Sequence, residues 1–557
     1  MRIITRLRLP TTPIVLAVLL AFFFCVYGSY YQGISVFTSP DETANYFFAT
    51  QFADSGSLAV ADDINADSNG IVHPRSVKLN AHGEMVPGSF VGMPLYYGII
   101  ATAVGDWSIR WLTPLAAVLG ALAFYFIVRR IFGKLTAVVS IACLLILPPY
   151  WYYASRGMFH NVLFISLILI CVSFLLRAFD GEARKNTKFF ILSGVVLGMA
   201  LSVRLSEIIW VGFLLLAVAL WHRKELTFKR AVLFIVPAVC AWMPMLFINQ
   251  ALYGSALTFS YSLPSLGETA PETGTAIEKT SSWVQYFFPF GINSGQSLRM
   301  AYTYLISYLP WYAIFSVVGL AVLYVSAIRN WIRRTLYSME STQSVSRVEL
   351  WYGIVFALVS GWLILYYGAF TFTEYIDPTR VLLGSSYLRY WMPILIFSIP
   401  LAVRGIQWVA NLWAERLRMP VVIFISLIFV GLSISLTVAD PLQGLMQLRR
   451  HIASYEQVRQ SVIEYTSADA VIVAGGADRY FFPERRVIAS LPASDAEAAK
   501  ALAQVARQAP VYIYENPLNL NVARVHELLS RSELTTEPGL TLPDQINLTR
   551  IVPDGTD

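Results

Sequence analysis

Two adjacent carboxylates follow the first long apolar run of the chain, in the sequence Ser39-Pro40-Asp41-Glu42-Thr43. A carboxylate within hydrogen-bond reach of a hydroxyl group can remove its proton during nucleophilic attack, so this acidic pair is a candidate for general-base chemistry. The alternative interpretation is that Asp41 and Glu42 only stabilise the start of a helix through its dipole, by about 0.3–1 kcal/mol.

The residues around the two acids predict a short helix. Ser39 is a good helix cap, Pro40 suits the first helical position, and Glu42 has the spacing of a capping box. The following apolar residues recur at helical spacing: Ala44, Phe47, Phe48 and Phe52. We therefore expect an amphipathic helix at the membrane interface that carries both acids in its first turn.

Isolated charged residues also lie at the ends of later apolar runs, where charge is costly enough to suggest a function. Arg204 and Glu207 fall in the tight connection between two runs, and Arg156 precedes His160 by one helical turn. The alternative to a functional role is a structural one, in which Arg204 is a snorkelling arginine paired with Glu207 and His160 is a hydrogen-bonded structural histidine.

Arg389 and Tyr390 begin another apolar run. A guanidinium group binds phosphate through two parallel donors, so Arg389 is a candidate for holding a lipid phosphate, while Tyr390 also suits an aromatic membrane belt. Arg75 and Glu84 lie in the long polar segment after the acidic pair.

The composition indicates a polytopic membrane protein, because 56% of the 557 residues are hydrophobic and only 14% are charged. The first apolar run is long enough to span the bilayer and is interpreted as an uncleaved signal anchor. We predict eleven spans: 14–32, 107–128, 135–150, 159–178, 188–203, 206–221, 231–252, 302–326, 350–370, 390–410 and 420–438. The fold class is thus an α-helical membrane bundle.

Basic clusters occur in alternate loops, for example Arg129-Arg130 and Arg223-Lys224. The positive-inside rule makes those loops and the N-terminus cytoplasmic, and an odd number of spans places the C-terminus outside. The first outer loop, 33–105, ends in a proline-containing interfacial or re-entrant segment. The second, 253–296, is rich in small and polar residues and is predicted to be a mobile lid.

The composition changes near residue 440, where charge rises and long apolar runs stop. Strand-like runs at 470–474, 486–490, 511–515 and 546–552 alternate with helical patterns, which predicts a small α/β domain over 441–557, separate from a membrane domain over 1–440. Gly475-Gly476 lacks the rest of a dinucleotide-binding fingerprint, so no nucleotide site is predicted.

Four features occur in a specific order along the chain. They are the acidic pair after the first span, the long first loop with Pro94, the element Asn249…Tyr253-Gly254-Ser255…Tyr261, and Arg389-Tyr390-x-x-Pro393. Together they resemble the GT-C membrane glycosyltransferases, and most closely the family 39-like branch of dolichyl-phosphate-mannose-protein mannosyltransferases and aminoarabinose transferases. The resemblance covers about residues 10–440.

The resemblance implies an inverting transfer of a hexosyl or pentosyl group from a polyprenyl-phosphate donor to a glycan, lipid or protein acceptor, as in cell-envelope glycosylation. It places the site outside the cytoplasmic (plasma) membrane. Asp41 matches the catalytic base, Glu42 its companion acid, and Arg389 a residue near the carrier phosphate. Membrane lipid is an expected partner, and nucleic acid is not.

The resemblance leaves several residues as further candidates. Arg75, Arg156 and Arg204 are candidates for the phosphate clamp. His160 and Asn161 stand where many relatives have an acid, so either Glu84 or Glu207 supplies the second acid or the acceptor differs from the family's best-known ones.

Other interpretations are compatible with the sequence. No cofactor is expected, although scattered oxygen ligands allow a divalent metal site built from Asp41, Glu42, His73, His82 and Glu84. A transporter or flippase for a lipid-linked or anionic substrate would place its charged site at mid-bilayer between symmetric halves. A membrane anchor that displays the C-terminal domain is the third reading.

Overall fold

Long apolar helices form most of the structure. This computed structural model describes residues 12–68, 70–180, 186–258, 260, 287–336, 346–372, 380–516, 521–530, 534–542 and 546–553. Within these ranges, eight helices are long and apolar enough to cross a membrane. The chain is therefore a multi-pass integral membrane protein, as its composition predicts.

The described residues of the first half of the chain form twelve α-helices, most of them apolar because they lie against lipid or each other. They are α1 Thr12–Gly28, α2 Pro40–Ser55, α3 Asp63–Asp67, α4 Gly92–Val104, α5 Ile109–Phe132, α6 Lys134–Leu145, α7 Pro148–Ser155, α8 His160–Ala178, α9 Thr187–Val203, α10 Ile208–Trp221, α11 Phe228–Trp242 and α12 Pro244–Tyr253. The α4 helix, in the segment predicted to be interfacial, is shorter than a span.

The later helices complete the bundle and then enter the C-terminal region. They are Ser294–Ala301, Pro310–Leu336, Arg347–Gly368, Ser386–Tyr390, Met392–Asn411, Glu415–Ile434, Leu445–Tyr465, Asp478–Phe481, Asp495–Gln508 and Asn521–Ser530. Most of the predicted lid, 253–296, lies outside the described residues.

Two bent helix pairs decide how the spans are counted. The α6 and α7 helices bend by 54°, and α9 bends by 115° against the segment Leu205–Trp221 that contains α10. If each pair is one span, the described residues contain ten spans, one fewer than predicted.

Contacts with the first loop indicate that α9 and α10 cross separately. His160 at the start of α8, Arg204 at the bend and Tyr253 at the end of α12 all contact this loop, at Phe90 or Pro87. Between one of these contacts and the next, the chain must cross the bundle away from the side of the first loop and then cross back. The two arms therefore count as two crossings, which gives eleven crossings within the described parts of the chain.

A five-stranded sheet forms the core of the C-terminal region. Its strands are β3 Val471–Val473, β4 Arg486–Ile488, β5 Val511–Glu515, β6 Leu534–Leu542 and β7 Ile546–Pro553, in the order β4-β3-β5-β7-β6. The first three are parallel and β7 is antiparallel to its neighbours. The predicted small C-terminal α/β fold is confirmed, although β6 was not expected.

The first loop packs on both faces of this sheet. Side chains alternate along a strand, so Ile472 contacts a cluster that includes Phe48 of α2, while Val473 faces a cluster that includes Ile71. The loop also contains its own hairpin, β1 Val77–Leu79 paired with β2 Met85–Pro87. The sheet and the loop that carries the acidic pair therefore share two hydrophobic clusters.

Candidate active site

The α2 helix begins as the sequence predicts. The Ser39 side chain accepts a hydrogen bond from the Asp41 N–H group at 3.3 Å, and Pro40 occupies the first turn. The reciprocal half of the expected capping box is not formed, because the Glu42 carboxylate accepts hydrogen bonds from other side chains.

Asp41 lies at the open edge of the site, with 38% of its side chain exposed. The Ser76 hydroxyl donates to Oδ1 at 2.7 Å, and Arg389 Nη1 lies 3.3 Å from Oδ2. Burial by itself raises the pKa of the Asp41 carboxyl, but Arg389, the hydrogen bond from Ser76 and the nearby His160 together hold that pKa below its ordinary value. Asp41 is therefore ionised at neutral pH and can accept a proton.

Glu42, the next residue, is enclosed by protein and only 1% exposed. Its Oε2 atom lies 2.5 Å from Arg156 Nη2, and its Oε1 atom accepts a hydrogen bond from the Tyr31 hydroxyl at 2.6 Å. Arg156 also donates to Thr38 and Tyr152 at 2.8 Å. Glu42 and Arg156 thus satisfy each other inside the protein.

Two arginines flank one tyrosine ring beside Asp41. The guanidinium carbons of Arg389 and Arg204 lie 5.0 and 4.9 Å from the centroid of the Tyr390 ring. Tyr390 in turn stacks on Tyr367, with centroids 4.6 Å apart. The aromatic faces hold two cations close together through cation–π contacts.

Arg204 is fixed in the break between α9 and α10 by an acid of the same turn. Glu207 Oε1 accepts hydrogen bonds from Arg204 at 2.8 and 3.1 Å and from the Tyr367 hydroxyl at 2.5 Å. Glu207 Oε2 accepts from the Trp210 indole at 2.6 Å. The Glu207 carboxylate is occupied by protein donors, so it positions Arg204.

His160 connects the first loop to the bundle. Its Nε2 atom lies 2.9 Å from the Phe90 carbonyl, which can only accept, so Nε2 carries the proton. The ring also lies within electrostatic range of Arg204, Asp41 and Arg389. His160 is thus close to the charged cluster.

Two predicted site residues lie elsewhere. Arg75 is paired with Asp478 of the C-terminal region, at 2.7 Å, and Glu84 accepts a hydrogen bond from Asn80 in the β1–β2 turn. Both were expected to bind substrate, but the loop folds them onto protein partners. Among the described residues, no three His, Cys, Asp or Glu side chains come together as metal ligands, so the five residues considered as a metal site are not assembled into one.

The structure adds residues that the sequence did not reveal. Ser76 lies in the long polar segment after the acidic pair, but only the fold brings its hydroxyl to Asp41. Tyr367 is hidden in an apolar span and Phe90 in a loop. The assembled site combines an accessible, ionised carboxylate with two mostly buried guanidinium groups, which suits proton removal beside an anionic group.

One family model matches the chain. It is described as dolichyl-phosphate-mannose-protein mannosyltransferase and covers residues 95–248. This range includes Arg156, His160, Arg204 and Glu207 but not Asp41. No curated protein matches the chain.

Solved structures match over nearly the whole chain. ArnT from Cupriavidus metallidurans in the apo state has a TM-score of 0.57 at 12% identity, and the match covers 97% of both chains. The same protein bound to undecaprenyl phosphate gives 0.54 at 13%, with the same coverage. An oligosaccharyltransferase from Archaeoglobus fulgidus, in complex with Zn and sulfate, gives 0.54 at 13% and covers 93% of this chain and 70% of that one.

These matches confirm the resemblance that the sequence shows. They also correct its extent, because an alignment over 97% of the chain reaches well past residue 440 into the C-terminal sheet. The short motifs lie upstream of that sheet, so the resemblance seen in the sequence did not extend to the sheet.

Proposed function

We propose that this chain, which has the fold of the GT-C membrane glycosyltransferases, is an inverting glycosyltransferase with a polyprenyl-phosphate sugar donor. One observation carries the proposal: the accessible Asp41 carboxylate lies 3.3 Å from Arg389. A proton acceptor and a candidate phosphate-binding cation are thus direct neighbours, which supports their acting on one bound substrate. ArnT, which has the same fold, binds undecaprenyl phosphate.

In the proposed reaction, an acceptor hydroxyl attacks the anomeric carbon and its proton moves to Asp41. The bond between that carbon and the phosphate oxygen breaks, and its electron pair stays with the leaving polyprenyl phosphate. The sugar leaves with inverted configuration. Arg389 and Arg204 stabilise the negative charge that develops on the phosphate, in a site where little water weakens the interaction.

The other candidates have supporting roles. Glu207 holds Arg204, and Glu42 with Arg156 fixes the first turn of α2 behind Asp41. The charged cluster lies at helix ends on one side of the bundle, beside the first loop, which favours this proposal over a transporter with a mid-bilayer site. We assign this side to the outside of the cytoplasmic membrane from the distribution of basic loops.

The test uses the purified full chain in lipid nanodiscs. It is incubated with radiolabelled hexosyl and pentosyl polyprenyl phosphates, with a cell-envelope lipid extract as acceptor, and release of polyprenyl phosphate is measured. We expect turnover with one donor class and a loss of about 10²–10⁴-fold in Asp41→Asn, the usual contribution of a general base.

Asp54→Asn is the matched control, because it makes the same change at an exposed position of the same helix. It should retain the wild-type rate. Equal turnover by wild type and Asp41→Asn would contradict the role of Asp41. Absence of turnover and of polyprenyl-phosphate binding in folded protein would contradict the function itself.

A further inference from the structure

A residue of the C-terminal region binds the first loop one position before Ser76. The Asp478 side chain is completely buried and accepts the Arg75 backbone N–H group at 2.7 Å and the Arg75 Nη2 group at 2.7 Å. Arg75 Nη2 also donates to the Gly476 carbonyl at 2.6 Å. Because one of these bonds involves the backbone, Asp478 fixes the path of the chain at residue 75 as well as a side chain.

The next residue has an unusual conformation. Ser76 has a φ of 61°, in the left-handed region that residues with a Cβ atom rarely adopt. Such a conformation persists only where the surrounding structure holds it, and it occurs often at functional sites. The strain at Ser76 therefore needs an explanation from its neighbours.

Contacts hold Ser76 from both directions. On one side Arg75 is bound to Asp478; on the other, the Ser76 carbonyl accepts the Gly88 N–H group at 3.0 Å. A Cβ atom on Gly88 would lie 2.5 Å from that carbonyl oxygen, so only glycine allows the approach. The conformation directs the Ser76 hydroxyl to Asp41 Oδ1 at 2.7 Å.

We infer that Asp478 is a positioning residue for the active site: through Arg75 it holds Ser76 in the conformation that orients the Asp41 carboxylate. This inference rests on the proposed function, in which Asp41 is the base. It gives the C-terminal region a part in the reaction.

The effect should appear in the pH dependence of the reaction. The charged or titratable side chains facing Asp41 are Arg389 and His160. The acids nearby are already paired, Glu42 with Arg156 and Asp478 with Arg75. The α4 helix, which packs along α2, carries no charged residue. The Ser76 hydrogen bond favours the ionised carboxylate. Its loss raises the pKa of Asp41, so activity is lost at a higher pH on acidification.

The experiment compares kcat/KM between pH 3 and 8 for wild type, Ser76→Ala, Asp478→Ala and the double variant. We expect the acid limb to move up by about one pH unit in Ser76→Ala, the size expected for one hydrogen bond to a carboxylate. Asp478→Ala should move it in the same direction and lower kcat roughly tenfold. The double variant should be no worse than the poorer single variant, because both act on the same contact.

Asp62→Ala is the matched control. Asp62 also joins the first loop to the C-terminal region, through Arg486 at 2.8 Å, but it does not adjoin Ser76. It should leave the acid limb in place. An equal shift in Asp62→Ala and Asp478→Ala, or additive losses in the double variant, would overturn the inference.

A second measurement does not depend on turnover. Hydrogen exchange of the segment 74–79 in the full chain should become faster in Asp478→Ala and stay unchanged in Asp62→Ala; unchanged exchange in both would overturn the inference. If Asp478→Ala does not fold, Arg75→Ala makes the same test from the half-exposed side of the contact. If the wild-type protein shows no turnover but Asp478→Ala still exchanges faster than wild type, the proposed function is refuted and the positioning contact is not.

Discussion

The two acids at the start of α2 are neighbours in sequence but lie in opposite environments. Asp41 is 38% exposed and lies 3.3 Å from Arg389, whereas Glu42 is 1% exposed and lies 2.5 Å from Arg156. The first pair is loose and opens to the site. The second is short, closed and further bonded to Tyr31.

Helix geometry explains the difference. Successive residues on an α-helix are rotated by about 100°, so one of two adjacent acids can face a cavity while the other faces the core. A buried ion pair costs desolvation energy and needs good geometry, which a fixed structural contact supplies. A catalytic base, the role proposed for Asp41, must instead release its partner when the substrate arrives. The same carboxylate chemistry thus serves two purposes.

Breaking the closed pair, Glu42 and Arg156, should have the largest effect on stability. Arg156→Met leaves Glu42 buried without its counter-charge, and such a change costs about 3–5 kcal/mol of unfolding free energy. We expect a clear drop in melting temperature, measured by fluorescence in detergent. Asp41→Asn should change the melting temperature far less, because that pair is open to solvent.

Removing both members of the closed pair sharpens this test. The double variant Glu42→Gln/Arg156→Met should recover much of the stability, since neither charge is then left alone in the core. If Asp41→Asn proved as destabilising as Arg156→Met, the two pairs would not differ in the way described.

Breaking the open pair, Asp41 and Arg389, should change the pH dependence of kcat/KM. Arg389 lowers the pKa of Asp41, so Arg389→Gln raises it, and a general base with a raised pKa is protonated at higher pH. We expect the acid limb of kcat/KM to move up by about one unit or more and the KM for the donor to rise. Arg449→Gln, at an exposed arginine that binds the Gln32 carbonyl, serves as control. A shift to lower pH in Arg389→Gln would contradict the assignment.

The smallest expected effect comes from the edge of the closed pair. Tyr31→Phe removes one hydrogen bond to the Glu42 carboxylate, which is worth about 1.5 kcal/mol. The melting temperature should fall by a few degrees while kcat stays within about twofold of wild type. Tyr465→Phe, at an exposed tyrosine, should change neither quantity. A large loss of activity in Tyr31→Phe would place Glu42 in the reaction.

The elements of the fold were largely predictable, because their signals are local. Ser39 and Pro40 predicted the start of α2, and the strand-like runs predicted four of the five strands in the C-terminal sheet. The strand β6 was missed because its sequence, with Pro538 and Gly539 in the middle, reads as a turn.

The site was predictable only in part, because its contacts are distant in sequence. The residue types indicated Asp41, Arg389 and Arg204, but spacing alone does not reveal that Glu42 pairs with Arg156, 114 positions away. Arg75 had the chemistry of a phosphate ligand and was expected to be one. In the fold, Arg75 instead forms an ion pair with Asp478, and no local sequence pattern predicts that pairing.

The contact between Arg75 and Asp478 also orders events during synthesis. The two residues are separated by 403 positions, and ribosomes add about 5–20 residues per second. The first loop therefore exists for roughly 20 to 80 seconds before its partner is made. During that interval the nascent chain already contains the acids and arginines of the site but not Asp478, so the contact that holds Ser76 forms only after residue 478 has been added.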